Sequence, residues 1–380
     1  MHAHGTDMLK PHELPPGTPI YVFSLGQLGD SLVTLPAVHG IREAFPDSEM
    51  ILISDRVPGN QYLLSWEVFR LSGVFSRALY YTAMNRSFFS SLLELSGTAC
   101  KIRRSGSGPL FYLINDGAKS AMVGRHTFFF ETICGTHMVG ASNALNPYFM
   151  KGDDGRLLPQ QPQYRRLFDV VQSNIDRTLN FKTDSLIQPD ESAENFAEHL
   201  MQSRFDRDFV AFGAWSKMPC KRWPLDRFAE VGRFCMTERN MIPLVLGGAN
   251  EQSVGAELIK EWDGEGINLC GISLSESAEV LRRCKLYIGN DTGTMHLAAT
   301  MGIPCIGVFS SRDAPGRWDP IGRDHVILRH WVPCEGCMLE VCKHAETLCL
   351  KGITVDEVIE GVISLFSDNS VSGRKLSVRL

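Results

Sequence analysis

Four polar corners in this chain could carry chemistry, and the fullest is GNDTGTMHLAAT, Gly289 to Thr300. An apolar run gives way to Asp291, Thr292, Gly293 and Thr294. His296 follows, among Met295, Leu297, Ala298 and Met301, which are available to pack a helix. The first N–H groups of a helix lack intrahelical partners. Such an end attracts anions, and glycine lets a phosphate come close to the backbone. A plain Thr or Asp cap over a core helix would use the same residue types, so the choice rests on the other corners.

GAWSKMPCKRWP, Gly213 to Pro224, follows an apolar run with Ser216, Lys217, Lys221 and Arg222. Cations there could neutralise a departing diphosphate, with Ser216 as a neutral donor; solvated surface lysines are the plain alternative. LGGANE, Leu246 to Glu251, puts a carboxylate after a Gly-Gly turn. Such a group accepts hydrogen bonds from ribose hydroxyls in dinucleotide folds, although a first-turn Glu also suits the helix dipole. LGQLGD, Leu25 to Asp30, has neither G-x-G-x-x-G nor a Walker lysine, which excludes both motifs. It offers Asp30 at a helix start, as a cap or as a general base. Together these parts suit transfer of a group from a nucleotide-activated donor to a hydroxyl. The rate would come mainly from orientation and from stabilising the leaving diphosphate.

The elements that must hold these corners read as alternating strand and helix. PIYVFS (Pro19 to Ser24), a helical pattern through Phe45 and EMILIS (Glu49 to Ser54) form a βαβ unit, and FYLIN adds a strand. Tyr62 to Arg104 is irregular and aromatic-rich. NFKTDSLIQPDES loses periodicity and reads as a linker. Alternation then restarts with FVAFG, a helix over Leu225 to Arg239, MIPLVLG, a helix over Gln252 to Trp262, GINLC, a helix near Glu276 to Arg283, LYIGN and IPCIGVF. The expected fold class is α/β, with two doubly wound, Rossmann-like domains facing across a cleft lined by the carboxyl ends of the strands. The expected divisions are a flexible arm at 1–18, a first domain at 19–185, a second at 186–353 and a C-terminal helix and tail at 354–380.

At 380 residues two domains are the natural expectation. Hydrophobic content of 44% and charged content of 21% are globular. A net charge of -5, without a long basic run, gives no field for wrapping nucleic acid. No apolar stretch approaches a spanning helix, and the N-terminus lacks a signal core. The expected location is the cytoplasm. Eleven cysteines, an odd number without an export signal, argue against a disulfide framework.

At these residues the chain resembles glycosyltransferase family 9, the heptosyltransferases of lipopolysaccharide assembly. The pieces are SLGQLGDSLVTLPAVHGIREAFPDSEMILI, GAWSKMPCKRWPLDRFAEVG, LGGANEQ and GNDTGTMHLAATMGIPCIGVF, in the family's order. Tyr62 to Tyr164 has no matching motif. The resemblance implies a GT-B architecture, an inverting mechanism without a catalytic metal, and ADP-heptose as the usual donor. It makes the first domain the acceptor side and the second the donor side. Residue by residue, Asp30 matches the proposed base and Lys221 the lysine facing the diphosphate. Glu251 matches the acid near the ribose, and Asp291, Thr292, Gly293 and His296 the donor-binding DTG-x-x-H element. His296 would orient the diphosphate or the donor sugar. Gln27 stands where a small residue is frequent, and GAWSKMPC is longer than many relatives' versions, which leaves donor sugar and acceptor open.

Two further features stand apart. CKIRRSGSG places Arg103 and Arg104 in an expected loop, a candidate site for an acidic acceptor. Cys334, Cys337, Cys342 and Cys349 include one metal-ligand spacing; relatives often carry cysteines here, so a structural zinc or iron stands against reduced thiols packing a loop. The partners expected are a nucleotide-sugar donor and a glycan or lipid-linked acceptor, with peripheral contact at the inner face of the cell membrane. Alternatives are a protein O-heptosyltransferase, a noncatalytic nucleotide-sugar-binding protein and, without motif support, a sugar-nucleotide epimerase.

Overall fold

A computed structural model describes residues 8–55, 65–81, 88–115, 117–146, 149–202, 206–344, 347–367 and 376–378. Met1–Tyr148 with Gln161–Ile187 form one compact unit, and Phe149–Gln160 with Gln188–Leu380 form the other.

In the first unit, strands β1 (Ile20–Phe23), β2 (Met50–Asp55), β3 (Arg77–Tyr81), β4 (Pro109–Tyr112) and β5 (His137–Val139) make a parallel sheet of order β3-β2-β1-β4-β5. The unbroken apolar run of β1 has no exposed side chain, as a strand covered on both faces requires. Helices α1 (Leu28–Ala44), α2 (Ser65–Leu71), α3 (Phe88–Ser105), α4 (Ser120–Thr127) and α5 (Gln163–Gln172) cover the sheet. A π-helical turn, Phe128–Ile133, continues α4. It turns Phe129 and Phe130 onto the core formed by Tyr21, Phe23, Tyr112 and Ile102. Leu9 bridges to Ile175, with backbone bonds to Asn174 and Asp176. Residues 8–18 are therefore held to this unit instead of forming a loose arm; residues 1–7 of that expected arm lie outside the described residues.

The irregular stretch read between Tyr62 and Arg104 contains most of α2, β3 and α3, and its residues 62–64 and 82–87 lie outside the described residues. The loop expected at CKIRRSGSG is a correction. Arg103 and Arg104 lie on α3, which buries Thr98, Ala99 and Ile102 along one side and exposes both arginines. The chain leaves the helix only at Gly106, whose φ of 108° favours glycine.

In the second unit the parallel order is β12-β11-β10-β9-β6-β7-β8. The strands are β6 (Asp208–Gly213), β7 (Met241–Val245), β8 (Ile267–Asn268), β9 (Leu286–Asn290), β10 (Cys305–Val308), β11 (Val326–Leu328) and β12 (Leu376–Val378). Between and around them lie α6 (Glu191–Met201), α7 (Leu225–Arg239), α8 (Gln252–Glu261), α9 (Leu274–Arg282), α10 (Gly293–Thr300), α11 (Leu348–Lys351) and α12 (Val355–Phe366). Capping boxes Ser273–Glu276 and Thr354–Glu357 start α9 and α12. The core gathers Phe212, Trp223, Phe228 and Trp262 with the inner faces of β9, β10 and β11. Burying an aromatic such as Trp223, 2% exposed, contributes on the order of 4 kcal/mol.

Candidate functional site

The site builds from the end of β9. Tyr287 runs along the sheet and its hydroxyl bonds Thr294 Oγ1 at 2.8 Å. Gly213 and Gly289, paired across β6 and β9, make room for it. A Cβ on Gly213 would lie 1.8 Å from that hydroxyl, and one on Gly289 would lie 2.5 Å from it. Both glycines are thus sterically required. Thr294 Oγ1 in turn meets Thr292 Oγ1 at 3.0 Å, which fixes the turn that starts α10. Thr292 is the extended N-cap residue and makes no side-chain cap bond. The N–H groups of Gly293 and Thr294 then open the helix, where intrahelical acceptors are missing.

A second strand end supplies the cation. After β6 the chain turns through Ser216 and a short 3-10 turn, Pro219–Lys221. The turn is pinned on both sides. The Trp223 N–H donates to Asn290 Oδ1 at 3.0 Å, and the Trp223 indole donates to the Ile353 carbonyl. The Cys220 N–H donates to the Glu340 carbonyl at 3.1 Å. Lys221 Nζ consequently lies 2.6 Å from Asp291 Oδ2, with the side chains 13% and 7% exposed. An ammonium has three donors; one is spent on this carboxylate and a weaker one reaches the Asp291 carbonyl at 3.4 Å. Lys221 therefore keeps donor capacity for a ligand beside the α10 N-terminus.

His296 lies in the first turns of α10, 3% exposed, with its ring edge-on to Trp318. Burial lowers its pKa to about 4; nearby Asp291 raises it, and Lys221 and His325 lower it further. At neutral pH it is a neutral imidazole, and its buried Nδ1 has no hydrogen-bond partner among the described residues.

Glu251 closes the 3-10 turn Ala249–Glu251 before α8. A Cβ on Gly247 would lie 2.1 Å from Glu251 Oε2, so the carboxylate occupies the space that glycine leaves. Burial raises the Glu251 pKa, opposed by the Gly248 N–H and by Arg222. Arg222 stacks 3.4 Å above the Trp215 ring centroid and donates to the Ser216 carbonyl at 2.7 Å. Ser216 is buried, its Oγ accepting from the Met218 N–H at 3.3 Å, whereas Lys217 is exposed.

In the first unit Asp30 is the third residue of α1. Its Oδ2 accepts from the Gln27 N–H at 3.0 Å and its Oδ1 accepts from Asn115 Nδ2 at 2.7 Å. Gly26, at φ 135°, has no room for a side chain, since a Cβ would sit 2.5 Å from Asp30 Cβ.

Among the described residues no three His, Cys, Asp or Glu side chains are grouped to hold a metal ion; Cys334, Cys337 and Cys342 are half-buried. Backbone bonds shape the segment. The Gly336 N–H donates to the Ser311 carbonyl and the Met338 N–H to the Arg312 carbonyl. Arg312 donates back to the Leu339 and Met338 carbonyls. Cys349 is buried, and burial raises its pKa.

Sequence reasoning identified Lys221, Asp291 and Thr294 but missed Tyr287, Asn115 and the Trp215–Arg222 stack. The signal for Tyr287 was the glycine in each of the paired strands, FVAFG and LYIGN.

The family model for glycosyltransferase family 9 (heptosyltransferase) matches residues 118–347, more than half of the chain. The chain belongs to glycosyltransferase family 9. Lipooligosaccharide heptosyltransferase 2 of Haemophilus influenzae is 26% identical over 151 residues, 38% of this chain and 43% of that protein. The chain spans about half the length of the curated relatives it matches. A family 9 glycosyltransferase from Veillonella parvula superposes with a TM-score of 0.69 at 18% identity, covering 93% of this chain and 98% of that one. The Escherichia coli ADP-heptose LPS heptosyltransferase II does so with a TM-score of 0.65 at 15% identity, covering 92% and 98%. This family 9 chain therefore has the GT-B type fold, with two parallel-sheet, Rossmann-like units.

Proposed function

We propose that this chain is an inverting, metal-independent glycosyltransferase that moves heptose from ADP-heptose to a saccharide hydroxyl in lipopolysaccharide or related glycan assembly. The observation that carries the reading is Lys221, held by Asp291 beside the open N-terminus of α10. That pairing gives fixed positive charge where a leaving diphosphate needs it. The second unit is read as the donor side, about residues 186–353, and the first, about 19–185, as the acceptor side.

Each residue then has a task. Asp30 accepts the proton of the attacking hydroxyl, a step in which a positioned base contributes about 10²–10⁴-fold. As the C–O bond to the leaving diphosphate breaks, its charge develops against Lys221 and the N–H groups of Gly293 and Thr294. Thr292 and Ser216 add neutral donors, and Lys217 is a further cation at the mouth of the same loop. Glu251 accepts from the ribose hydroxyls. Neutral His296 holds the diphosphate or the donor sugar through an imidazole nitrogen. Arg103 and Arg104, exposed on α3, receive an acidic acceptor. The acceptor is glycan or lipid-linked, which places the protein in the cytoplasm at the inner face of the membrane.

The test is incubation with a panel of nucleotide sugars and acceptor saccharides, reading release of nucleoside diphosphate. ADP release from ADP-heptose that depends on a saccharide acceptor supports the reading. Tight donor binding without any turnover would identify a noncatalytic nucleotide-sugar binder instead.

A further inference from the structure

The outer surface of the α3 and α4 layer combines exposed apolar side chains with cations, of which the reaction proposed above uses only Arg103 and Arg104. The layer packs Ala99, Ile102, Val123, Phe129 and Phe130 inward on the sheet. Its other side leaves large apolar side chains in water: Leu93 is 75% exposed, Phe128 61%, Leu92 52% and Ile133 38%. Leu93 is the most exposed large apolar side chain among the described residues. The two helices are joined at their C-terminal ends, where Ser107 Oγ donates to the Gly135 carbonyl at 2.6 Å. Ile102 of α3 and Cys134, just past the π-helical turn, are buried in the same core. Leu92, Leu93 and the α3 arginines thus share one layer with Phe128 and Ile133.

Charge selects the occupant. Among the described residues of 92–137, which leave out Asp116, the exposed charged groups are Lys101, Arg103, Arg104, Lys119 and Arg125 against Glu94 and Glu131. Five cations face two acids on a chain whose net charge is -5. Glu131 already accepts the Met138 N–H. Two copies of such a face would repel each other, which disfavours self-association. Isolated apolar side chains among long basic ones suit a fluid anionic surface, where the apolar groups enter the headgroup boundary and the cations meet phosphates. We propose that this α3/α4 face docks the protein on an anionic phospholipid bilayer. The proposal rests on the membrane location in the proposed function, but vesicle binding is read without donor or acceptor, so either can fail without the other.

The test is co-flotation of the full chain with phosphatidylcholine vesicles, and with vesicles carrying about 30% phosphatidylglycerol. Binding is expected only to the anionic vesicles, with release in about 0.5 M salt as charges are screened. Leu93→Glu and Phe128→Glu should each lower the partition at least about tenfold, since each removes an apolar anchor. Lys101→Glu and Arg125→Glu should each lower it about fivefold or more. Circular dichroism unchanged from the parent certifies each variant, and the two charge variants leave the apolar side chains in place should an apolar one misfold. No binding to anionic vesicles overturns the proposal. So does equal binding to neutral vesicles, or binding that folded variants leave unchanged. An acidic protein or a second copy held by this face while vesicles are ignored would overturn it too.

Discussion

The Lys221 ammonium lies 2.6 Å from the Asp291 carboxylate, and both side chains are largely buried. Asp291 therefore serves a donor site by holding a cation; its own negative charge would repel a phosphate. Removing one partner of such a pair strands the other charge, at a cost of about 3–5 kcal/mol where burial is complete. Asp291→Ala should lower stability and weaken ADP binding at least about tenfold, and Asp291→Asn should do less. In a double-mutant cycle with Lys221→Ala, the coupling should exceed about 1 kcal/mol, and calorimetric additivity would contradict the pairing.

Tyr287 reaches Thr294 only because positions 213 and 289 lack side chains. Gly213→Ala should destabilise the protein by about 1–3 kcal/mol through overpacking, read as a shift in denaturant midpoint. Adding Tyr287→Phe removes the atom that the new Cβ would meet first, and part of the loss should return. No recovery would mean that the hydroxyl is not the obstruction.

Asn115 donates to Asp30 Oδ1 at 2.7 Å, and Asn115→Asp keeps the shape while replacing the donor with a like charge. Turnover should fall at least about tenfold with donor KM unchanged, while Asn115→Ser, which keeps a donor, should recover part of the rate. Loss of rate that merely tracks thermal stability would reduce Asn115 to a packing residue.

The pH dependence of stability has a definite sign. Burial lowers the pKa of both His126 and His296 from 6.5 to about 4. Between those values the unfolded chain binds protons that the folded chain refuses. Their contribution is therefore whole above pH 6.5 and is lost progressively as pH falls toward 4. Urea midpoints measured across that window should fall with acidification. They should fall less in His126→Phe with Tyr112→Phe, which removes the 2.7 Å Tyr112–His126 pair together. An identical slope in that variant would contradict the assignment.

Much of the donor side was legible because its residues are consecutive. Asp291, Thr292, Gly293 and Thr294 sit on one strand-to-helix turn, and local spacing alone puts them at a helix start. Lys221 and Asp291 are 70 positions apart; the sequence suggested one diphosphate site for both corners, but not that the two side chains pair. The Tyr287 passage depends on two glycines in different strands, which a linear reading records as ordinary turn residues. KIRRSGSG is polar and so reads as a loop, whereas the helix there packs Leu95, Thr98, Ala99 and Ile102 inward. The four cysteines had one suggestive spacing, whereas the backbone bonds that tie their segment to Ser311, Arg312 and Cys220 left no mark in the sequence.

The central claim is that a nucleoside diphosphate is held by Lys221 and the α10 N-terminus while Asp30 acts only on the acceptor. Titration calorimetry of ADP into the parent, Lys221→Ala and Asp30→Ala proteins tests it most directly. The account predicts that Lys221→Ala weakens ADP at least about tenfold, the loss of one strong charge-assisted contact, while Asp30→Ala binds ADP as the parent does. Parent-like ADP affinity in Lys221→Ala would contradict it.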